Sequence, residues 1–170
     1  VSGYQKLSDN TNVYLYLETE AEPVETKEMK DRHNSCIALR FADGTSALRV
    51  RYGISFISAE QAQKNLRREL DNYDAEALAQ AGRKLWNAAL ERIKVEGGSE
   101  DDKTVFYTSY YRTFERPICM SEDGRYFSAF DGKVHEDDGR PFYTDDWIWD
   151  TYRAAHPLRL LMDRGVEECI

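Results

Sequence analysis

The hydrophobic pattern of this chain changes period near residue 58, and that change limits the folds it can adopt. From Val13 to Leu17, aliphatic residues alternate with tyrosines, the period of two that is typical of a β-strand. Two apolar runs follow, over residues 36–41 and 47–57, with Asp43-Gly44 between them. An Asp-Gly pair in this position predicts a β-hairpin, and the acidic stretch 18–34 predicts a long connection.

After residue 58 the pattern predicts helices. Ser58 followed by Gln61 is a capping-box pattern, and no glycine or proline interrupts residues 59–70. A second helix is predicted over 74–93, with one apolar face. That face comprises Leu78, Ala81, Leu85, Ala89 and Ile93. Ser99 is predicted to cap a third helix, which Pro117 ends.

The remainder divides into a loop region and a last helix. Within residues 118–145, three Asp-Gly pairs predict β-hairpins or an ordered loop. The last helix is predicted to begin near Asp146 and to continue to about Asp163, with His156-Pro157 as a structured break at a helix shoulder and the ring packed locally.

Three or four strands form a poor domain alone, because a sheet needs another layer to cover its apolar face. The sequence therefore predicts the last strands of a β-sandwich whose earlier strands lie upstream of this chain. Linker helices follow, and then the first helices of a larger α domain. The expected fold class is an α+β multidomain fragment, divided at residues 1–57, 58–94 and 95–170.

The net charge and the composition limit the classes of molecule that this chain can bind. The formal net charge of −8 disfavours nucleic acid and anionic lipid, whereas neutral ligands and divalent metals remain compatible. No apolar run is long enough to cross a bilayer. The three cysteines have no metal-knuckle spacing, and His33, His135 and His156 are too scattered for a zinc cluster.

Residues 142–153 combine aromatic side chains, acids and an arginine. On a helix beginning near Asp146, Asp146 and Asp150 share a face, and Arg153 lies three residues beyond Asp150. One interpretation is a sugar subsite, with a carboxylate and a guanidinium on the hydroxyls and a tryptophan as a platform. The other is a capped helix with core tryptophans and a surface ion pair, and spacing alone favours this second interpretation.

The same acids suggest two further functions, both with weak support. Asp146 and Asp150 would stand at a separation compatible with the two carboxylates of an inverting glycosidase, but so would any such helical pair. The cluster 136–139 together with Asp145-Asp146 offers oxygen ligands for calcium. It lacks the ordered spacing of an EF-hand loop, so a solvated turn is the favoured interpretation.

Several ordered segments resemble glycoside hydrolase family 92, the calcium-dependent exo-α-mannosidases. The segment Tyr52–Ala62 resembles the family's domain-joining segment, and Val95–Arg112 its first barrel helix. The loop pieces Asp123–Tyr126 and Phe130–His135 also match in order. The most specific piece is Trp149-Asp150-Thr151-Tyr152-Arg153-Ala154 followed by His156-Pro157-Leu158.

This resemblance implies an N-terminal β-sandwich and a C-terminal (α/α)₆ barrel. It also implies removal of terminal α-linked mannose from glycans with inversion, dependent on calcium. Asp150 falls on the family's sugar-contacting aspartate, and Trp149, Arg153 and His156 match within the same motif. The general acid, the base and the calcium ligands are expected outside this chain, so the chain alone is expected to be inactive.

The resemblance also implies a periplasmic, extracellular or cell-surface location in a bacterium, although the chain carries no readable signal peptide. The acidic lead-in of residues 145–148 departs from many relatives and leaves the leaving-group preference open. The alternative function is a non-catalytic carbohydrate-binding or scaffolding module.

Overall fold

The computed structural model describes residues 1–31 and 35–170, which divide into two compact units, 1–73 and 74–170. In the first unit, a three-stranded antiparallel sheet has the order β1 (Ser2–Lys6), β2 (Asn12–Thr19) and β5 (Val50–Ser55). A separate antiparallel pair joins β3 (Glu25–Lys30) and β4 (Ser35–Arg40). The alternation around Val13–Leu17 thus correctly predicts β2.

Two predictions in this unit are wrong. The apolar runs on either side of Asp43-Gly44 do not pair, because β4 pairs with β3 and β5 pairs with β2. Gly44 does form a turn, with a φ of 89°, but the turn leads the chain from one sheet to the other. The predicted connection over residues 18–34 contains the strand β3, whose side chains are all exposed and therefore show no hydrophobic alternation.

The core of the first unit lies where α1 (Ala59–Glu69) covers β5. As predicted, Ser58 caps this helix, its hydroxyl accepting from the Gln61 N–H at 3.1 Å. Ala62 and Leu66 are completely buried on the covered face. Gly53 on β5 permits this close approach, since a Cβ there would lie 2.4 Å from the carbonyl oxygen of Ala62.

The second unit begins with two capped helices, both close to their predicted positions. Asp74 caps α2 (Ala75–Leu90), and Ser99 and Asp102 form a reciprocal capping box at the start of α3 (Glu100–Arg112). Trp86 of α2 contacts two aromatic rings in or just after α3, those of Tyr111 and Phe114.

Two short hairpin-like pairs occupy the predicted loop region. β7 (Arg125–Ser128) pairs with β8 (Lys133–Glu136), and β6 (Ile118–Cys119) pairs with β9 (Tyr143–Thr144). The three Asp-Gly pairs provide the turns, as predicted, and their glycines have φ angles of 68° to 82°.

The last helix, predicted over 146–163, is divided into short helices. The chain forms α4 (Ile148–Thr151), α5 (Ala155–Met162) and α6 (Arg164–Glu167). Pro157 explains the break before α5: inside a longer helix it would remove a backbone hydrogen bond and clash with the preceding turn. In α5 it lies within the first turn, where the N–H needs no helical partner.

The observed class is α+β, with small antiparallel sheets and short helices. The β-sandwich, the barrel and the division at residues 57 and 94 stay predictions. Over residues 1–31 and 35–170, no helix has the length and apolar character needed to span a membrane.

Candidate functional site

The short helix α4 carries the aspartate that the sequence singled out. It is a single turn of four residues, and the residue at its N-cap, Trp147, makes no side-chain capping bond. The backbone carbonyl of Trp147 accepts from the N–H groups of Asp150 and Thr151, at 2.8 and 3.2 Å. A helix this short has little stability of its own, so its position depends on the side chains around it.

A cluster of four polar side chains holds the end of α4; we call it the His156 cluster, formed by Asp146, Thr151, His156 and Glu167. The Thr151 hydroxyl donates to Asp146 Oδ1 at 3.0 Å. His156 Nε2 lies 3.0 Å from Thr151 Oγ1 and 3.0 Å from Asp146 Oδ2. On the other side of the ring, Nδ1 lies 2.5 Å from Glu167 Oε1.

The His156 cluster is largely withdrawn from water. The side chains of Asp146, His156 and Glu167 are 19%, 17% and 11% exposed. Since buried carboxylates are costly without partners, each acid here gains from the ring or the hydroxyl beside it. The cluster therefore ties together four parts of the chain: Asp146 ahead of α4, Thr151 at the end of α4, the first turn of α5, and α6.

Arg159 joins the His156 cluster to the end of α3. Its Nη2 donates to the backbone carbonyl of Thr113 at 2.8 Å and also to that of Arg116. Its Nη1 lies 4.0 Å from Glu167 Oε2, and neither of these buried atoms has a hydrogen-bond partner within residues 1–31 and 35–170. The guanidinium thus gives the cluster a nearby positive charge.

A cleft of about 220 Å³ opens beside α4. Asp150 and Thr151 line it together with Trp147, and the other lining residues are Arg112, Thr113, Glu115, Arg116, Ala155 and Arg159. The Arg116 guanidinium lies over the Trp147 ring, 4.9 Å from its centre, and pairs with Asp145 at 3.4 Å. This cleft combines two acids, basic groups and an indole, the groups that hydrogen-bond hydroxyls and stack on a sugar face.

The four predicted sugar-binding residues occupy different positions around this cleft. Asp150 lies in its lining. Trp149 is 70% exposed, and its ring stacks on that of Trp147 with centres 6.4 Å apart. Arg153 lies over the Tyr152 ring and donates to the Tyr152 hydroxyl at 2.7 Å. His156 lies in the buried cluster and contacts Thr151, which lines the cleft.

The geometry differs from the one expected for a single helix. Asp146 precedes α4, so it does not share a helical face with Asp150. In place of the expected Asp150–Arg153 ion pair, Arg153 contacts Tyr152. Nor does Asp145 or Asp146 cap the helix: Asp145 pairs with Arg116, and Asp146 accepts from Thr151.

Calcium has no evident ligand set in the described part of the chain. Residues 1–31 and 35–170 contain no group of three or more His, Cys, Asp or Glu side chains arranged to hold a metal ion. In the acidic loop, Asp137 Oδ1 instead accepts from the Gly139 N–H at 2.9 Å, as in an ordinary turn. His33 lies outside the described residues.

Sequence reasoning missed the association of Asp146, Thr151 and Glu167 around His156. The one available indication was Pro157, which shows where a helix has to restart. Once the chain turns there, residues 146 and 167 lie on opposite sides of the same imidazole ring.

Comparison with known proteins places the cleft and the His156 cluster in one family region. Residues 61–169 match the family model described as the glycosyl hydrolase family 92 catalytic domain. The chain belongs to glycosyl hydrolase family 92. This family region contains α1 from residue 61 onward and α2 through α6, including every residue of the cleft and the cluster.

Solved structures of family 92 share the fold. The chain matches an inverting mannosidase of the family from Bacteroides thetaiotaomicron with a TM-score of 0.78 and 30% identity, over 93% of this chain and 24% of that one. It matches a family 92 α-mannosidase of the same bacterium with a TM-score of 0.75 and 22% identity, over 93% of this chain and 26% of that one.

A curated relative is an uncharacterised secreted glycosidase of Arthroderma benhamiae, 29% identical over 101 residues. That alignment covers 52% of this chain and 13% of the relative. The chain thus spans about a quarter of the length of the solved family 92 structures that it matches, and a smaller share of the curated relative.

Proposed function

We propose that this chain is part of an exo-acting glycoside hydrolase that removes terminal α-linked mannose from glycans with inversion. The observation that carries the proposal is the similarity to the inverting mannosidase, at 30% identity over 93% of the chain. The cleft beside α4 supports it with groups suited to a sugar. These are the Asp150 carboxylate, the Trp147 indole and the arginines that line the same cleft.

Asp150 is the proposed mannose-binding residue. Its carboxylate is exposed at the cleft, so it is available to accept hydrogen bonds from ring hydroxyls. Trp149 and Arg153 lie exposed on the adjoining surface, where they are positioned to meet the remainder of a glycan. Because a carboxylate–hydroxyl bond is charge-assisted, Asp150 is expected to contribute more to binding than its uncharged neighbours.

The reaction itself is proposed to use residues outside this chain. Inverting hydrolysis needs a general acid and a general base on opposite sides of the scissile bond. Asp146 is occupied by Thr151 and His156 in the buried cluster, so it does not act as the second carboxylate beside Asp150. We therefore propose that the chain holds the sugar, that the chain alone is inactive, and that calcium ligands lie elsewhere in the complete protein.

The proposed context is a β-sandwich that ends in the first unit and an (α/α)₆ barrel that begins in the second. The exposed apolar side chains support this context. Phe130 is 95% exposed, Leu161 85% and Leu85 74%, and such surfaces are usually covered by more protein. An extracellular or periplasmic location is proposed, supported by the secreted fungal relative.

The test is to assay the complete protein that contains this chain on an aryl α-mannoside, with and without a calcium chelator. We expect mannose release that stops on chelation and returns when calcium is added. Release of β-mannose, followed by NMR of the anomeric proton, would support inversion. Sugar binding without turnover under every condition would instead favour a non-catalytic carbohydrate-binding module.

A further inference from the structure

We propose that His156 is a positioning residue, which holds α4 through Thr151 and Asp146 so that Asp150 keeps its place in the cleft. This inference rests on the proposed function, since it takes Asp150 to contact the sugar. It gives His156 a role that differs from direct sugar contact.

The first reason is that α4 cannot hold its own position. It has one turn, and no side chain caps its N-terminus. An isolated turn of this length is unstable in water. Asp146 precedes the turn by two residues and Thr151 is its last residue, so the hydrogen bond between them at 3.0 Å spans the turn. Fixing that bond therefore fixes the turn that carries Asp150.

The second reason is that His156 is bonded to both members of that link. The single hydrogen of the Thr151 hydroxyl has two acceptors within reach, Asp146 Oδ1 at 3.0 Å and the Trp147 carbonyl at 3.2 Å. With either acceptor, Thr151 Oγ1 and Asp146 Oδ2 can both accept from the ring. His156 Nε2 is 3.0 Å from each of them. One imidazole N–H thus joins the two ends of α4 to the start of α5.

The third reason is that the ring is anchored on its far side. Nδ1 lies 2.5 Å from Glu167 Oε1 in α6, which fixes the ring plane. With both nitrogens engaged and the side chain 17% exposed, the ring has little capacity left for a sugar hydroxyl. The burial of His156 is explained if it acts through Thr151 and Asp146, and it is not explained by direct contact with the sugar.

Removal of the His156 imidazole should displace Asp150 from its position in the cleft. Thr151 lines the cleft directly beside Asp150, so any movement of Thr151 is transmitted along one peptide unit. A shift of about 1 Å at a site of this kind can lower a rate by roughly 10²-fold. We expect His156→Ala to lower kcat/KM of the complete protein by about 30-fold.

A double-mutant cycle separates positioning from a general structural role. If His156 acts through Asp150, adding His156→Ala to Asp150→Ala should lower kcat/KM by less than about 3-fold more. His156→Gln, which retains a donor toward Asp146, should recover at least about 5-fold of the loss caused by His156→Ala. Multiplicative losses in the double variant, or no recovery with glutamine, would overturn the proposal.

The matched control is His135→Ala. His135 also contacts a carboxylate, with Nε2 2.9 Å from Asp131 Oδ2, but it lies on β8 and does not line the cleft. We expect kcat/KM of this variant to stay within about 2-fold of the wild type. If His156→Ala does not fold, Glu167→Gln tests the same anchor, and it should also lower kcat/KM.

Hydrogen exchange provides a readout that does not depend on turnover. In His156→Ala, amides of residues 148–153 should exchange at least about 10-fold faster, while those of residues 100–112 keep their wild-type rates. An inactive wild-type protein would refute the proposed function but leave this measurement valid. Unchanged exchange over residues 148–153 would refute the positioning role even in an active enzyme.

Discussion

Asp146 and Asp150 are four residues apart, yet the fold gives their carboxylates different surroundings. Asp146 accepts hydrogen bonds inside the His156 cluster, whereas Asp150 is exposed at the cleft. A carboxylate already satisfied by protein donors has few acceptor positions left for a ligand. Of these two acids, Asp150 is therefore the one suited to bind a sugar.

The first residue-level prediction concerns Asp150 in the complete protein. Asp150→Ala should lower kcat/KM on an aryl α-mannoside by about 100-fold, because a charge-assisted hydrogen bond contributes about 1.5–3 kcal/mol. Its thermal unfolding should match that of the wild type, since the side chain is exposed. Asp101→Ala, which removes an exposed aspartate of α3, is the control. Wild-type kinetics in Asp150→Ala would contradict a sugar-binding role.

A second residue-level prediction concerns Glu18 in the first unit. Arg51 and Arg67 contact its carboxylate at 2.7 and 3.2 Å. Burial alone would raise the pKa of Glu18, but the hydrogen bonds from the two arginines outweigh this, and the pKa lies below its usual value of 4.5. Because the folded-state pKa is lowered, the stabilisation is present above pH 4.5 and is lost as the pH falls through the folded-state pKa.

Glu18→Gln should therefore lower the free energy of unfolding by about 1 kcal/mol at pH 7, measured with urea. The difference from the wild type should shrink as the pH is lowered below 4.5. Glu28→Gln is the control, because the Glu28 side chain is 63% exposed and its pair with Lys30 spans 3.5 Å. An equal deficit for Glu18→Gln at pH 7 and pH 3 would contradict the ion-pair explanation.

At the scale of elements, what the sequence could predict depended on where each element finds its partners. The helices α1, α2 and α3 were predictable because Ser58, Asp74 and Ser99 cap them through local hydrogen bonds. Strand β3 was not, because both of its faces are exposed, and the side-chain contact between Glu25 and Arg40 that accompanies its backbone pairing with β4 is an exposed ion pair with no apolar signature. Pro157 indicates the break before α5. The His156 cluster depends on that break, because the turn of the chain brings residues 146 and 167 to the same imidazole ring.

The packing of α1 on β5 gives a sharp element-level prediction. At Gly53, an added Cβ would lie 2.4 Å from Ala62 O and 2.9 Å from Leu66 Cβ, so the helix has to move. Gly53→Ala should lower the free energy of unfolding of the first unit by about 3 kcal/mol.

Gly3→Ala is the matched control for Gly53→Ala, because Gly3 is also in this sheet but has no atom within 4 Å of the added Cβ. Its free energy of unfolding should change by less than about 0.5 kcal/mol. Circular dichroism during urea unfolding measures both variants. Equal effects of the two substitutions would show that backbone entropy, and not the contact with α1, determines the cost.

At the scale of the whole molecule, the solvent-accessible surface area is larger than expected for compact domains of this mass. The chain exposes 12722 Å² for 19.7 kDa. Two separate compact domains of this combined mass would together expose about 10,400 Å². The excess includes aromatic and aliphatic side chains such as Leu85, Phe130 and Leu161. This surface agrees with the proposal that further parts of a family 92 enzyme cover the chain.

The excess surface predicts how the 170-residue chain behaves when it is produced by itself. It should bind the hydrophobic dye ANS, with a fluorescence increase at least about 3-fold larger per unit mass than that of the complete protein. The physical reason is that exposed apolar patches larger than a few hundred Å² are uncommon on stable monomers. Leu161→Lys, at a side chain that is 85% exposed, should reduce the dye signal without lowering thermal stability. Equal dye binding by the chain and the complete protein would show that this surface is solvent-exposed in both.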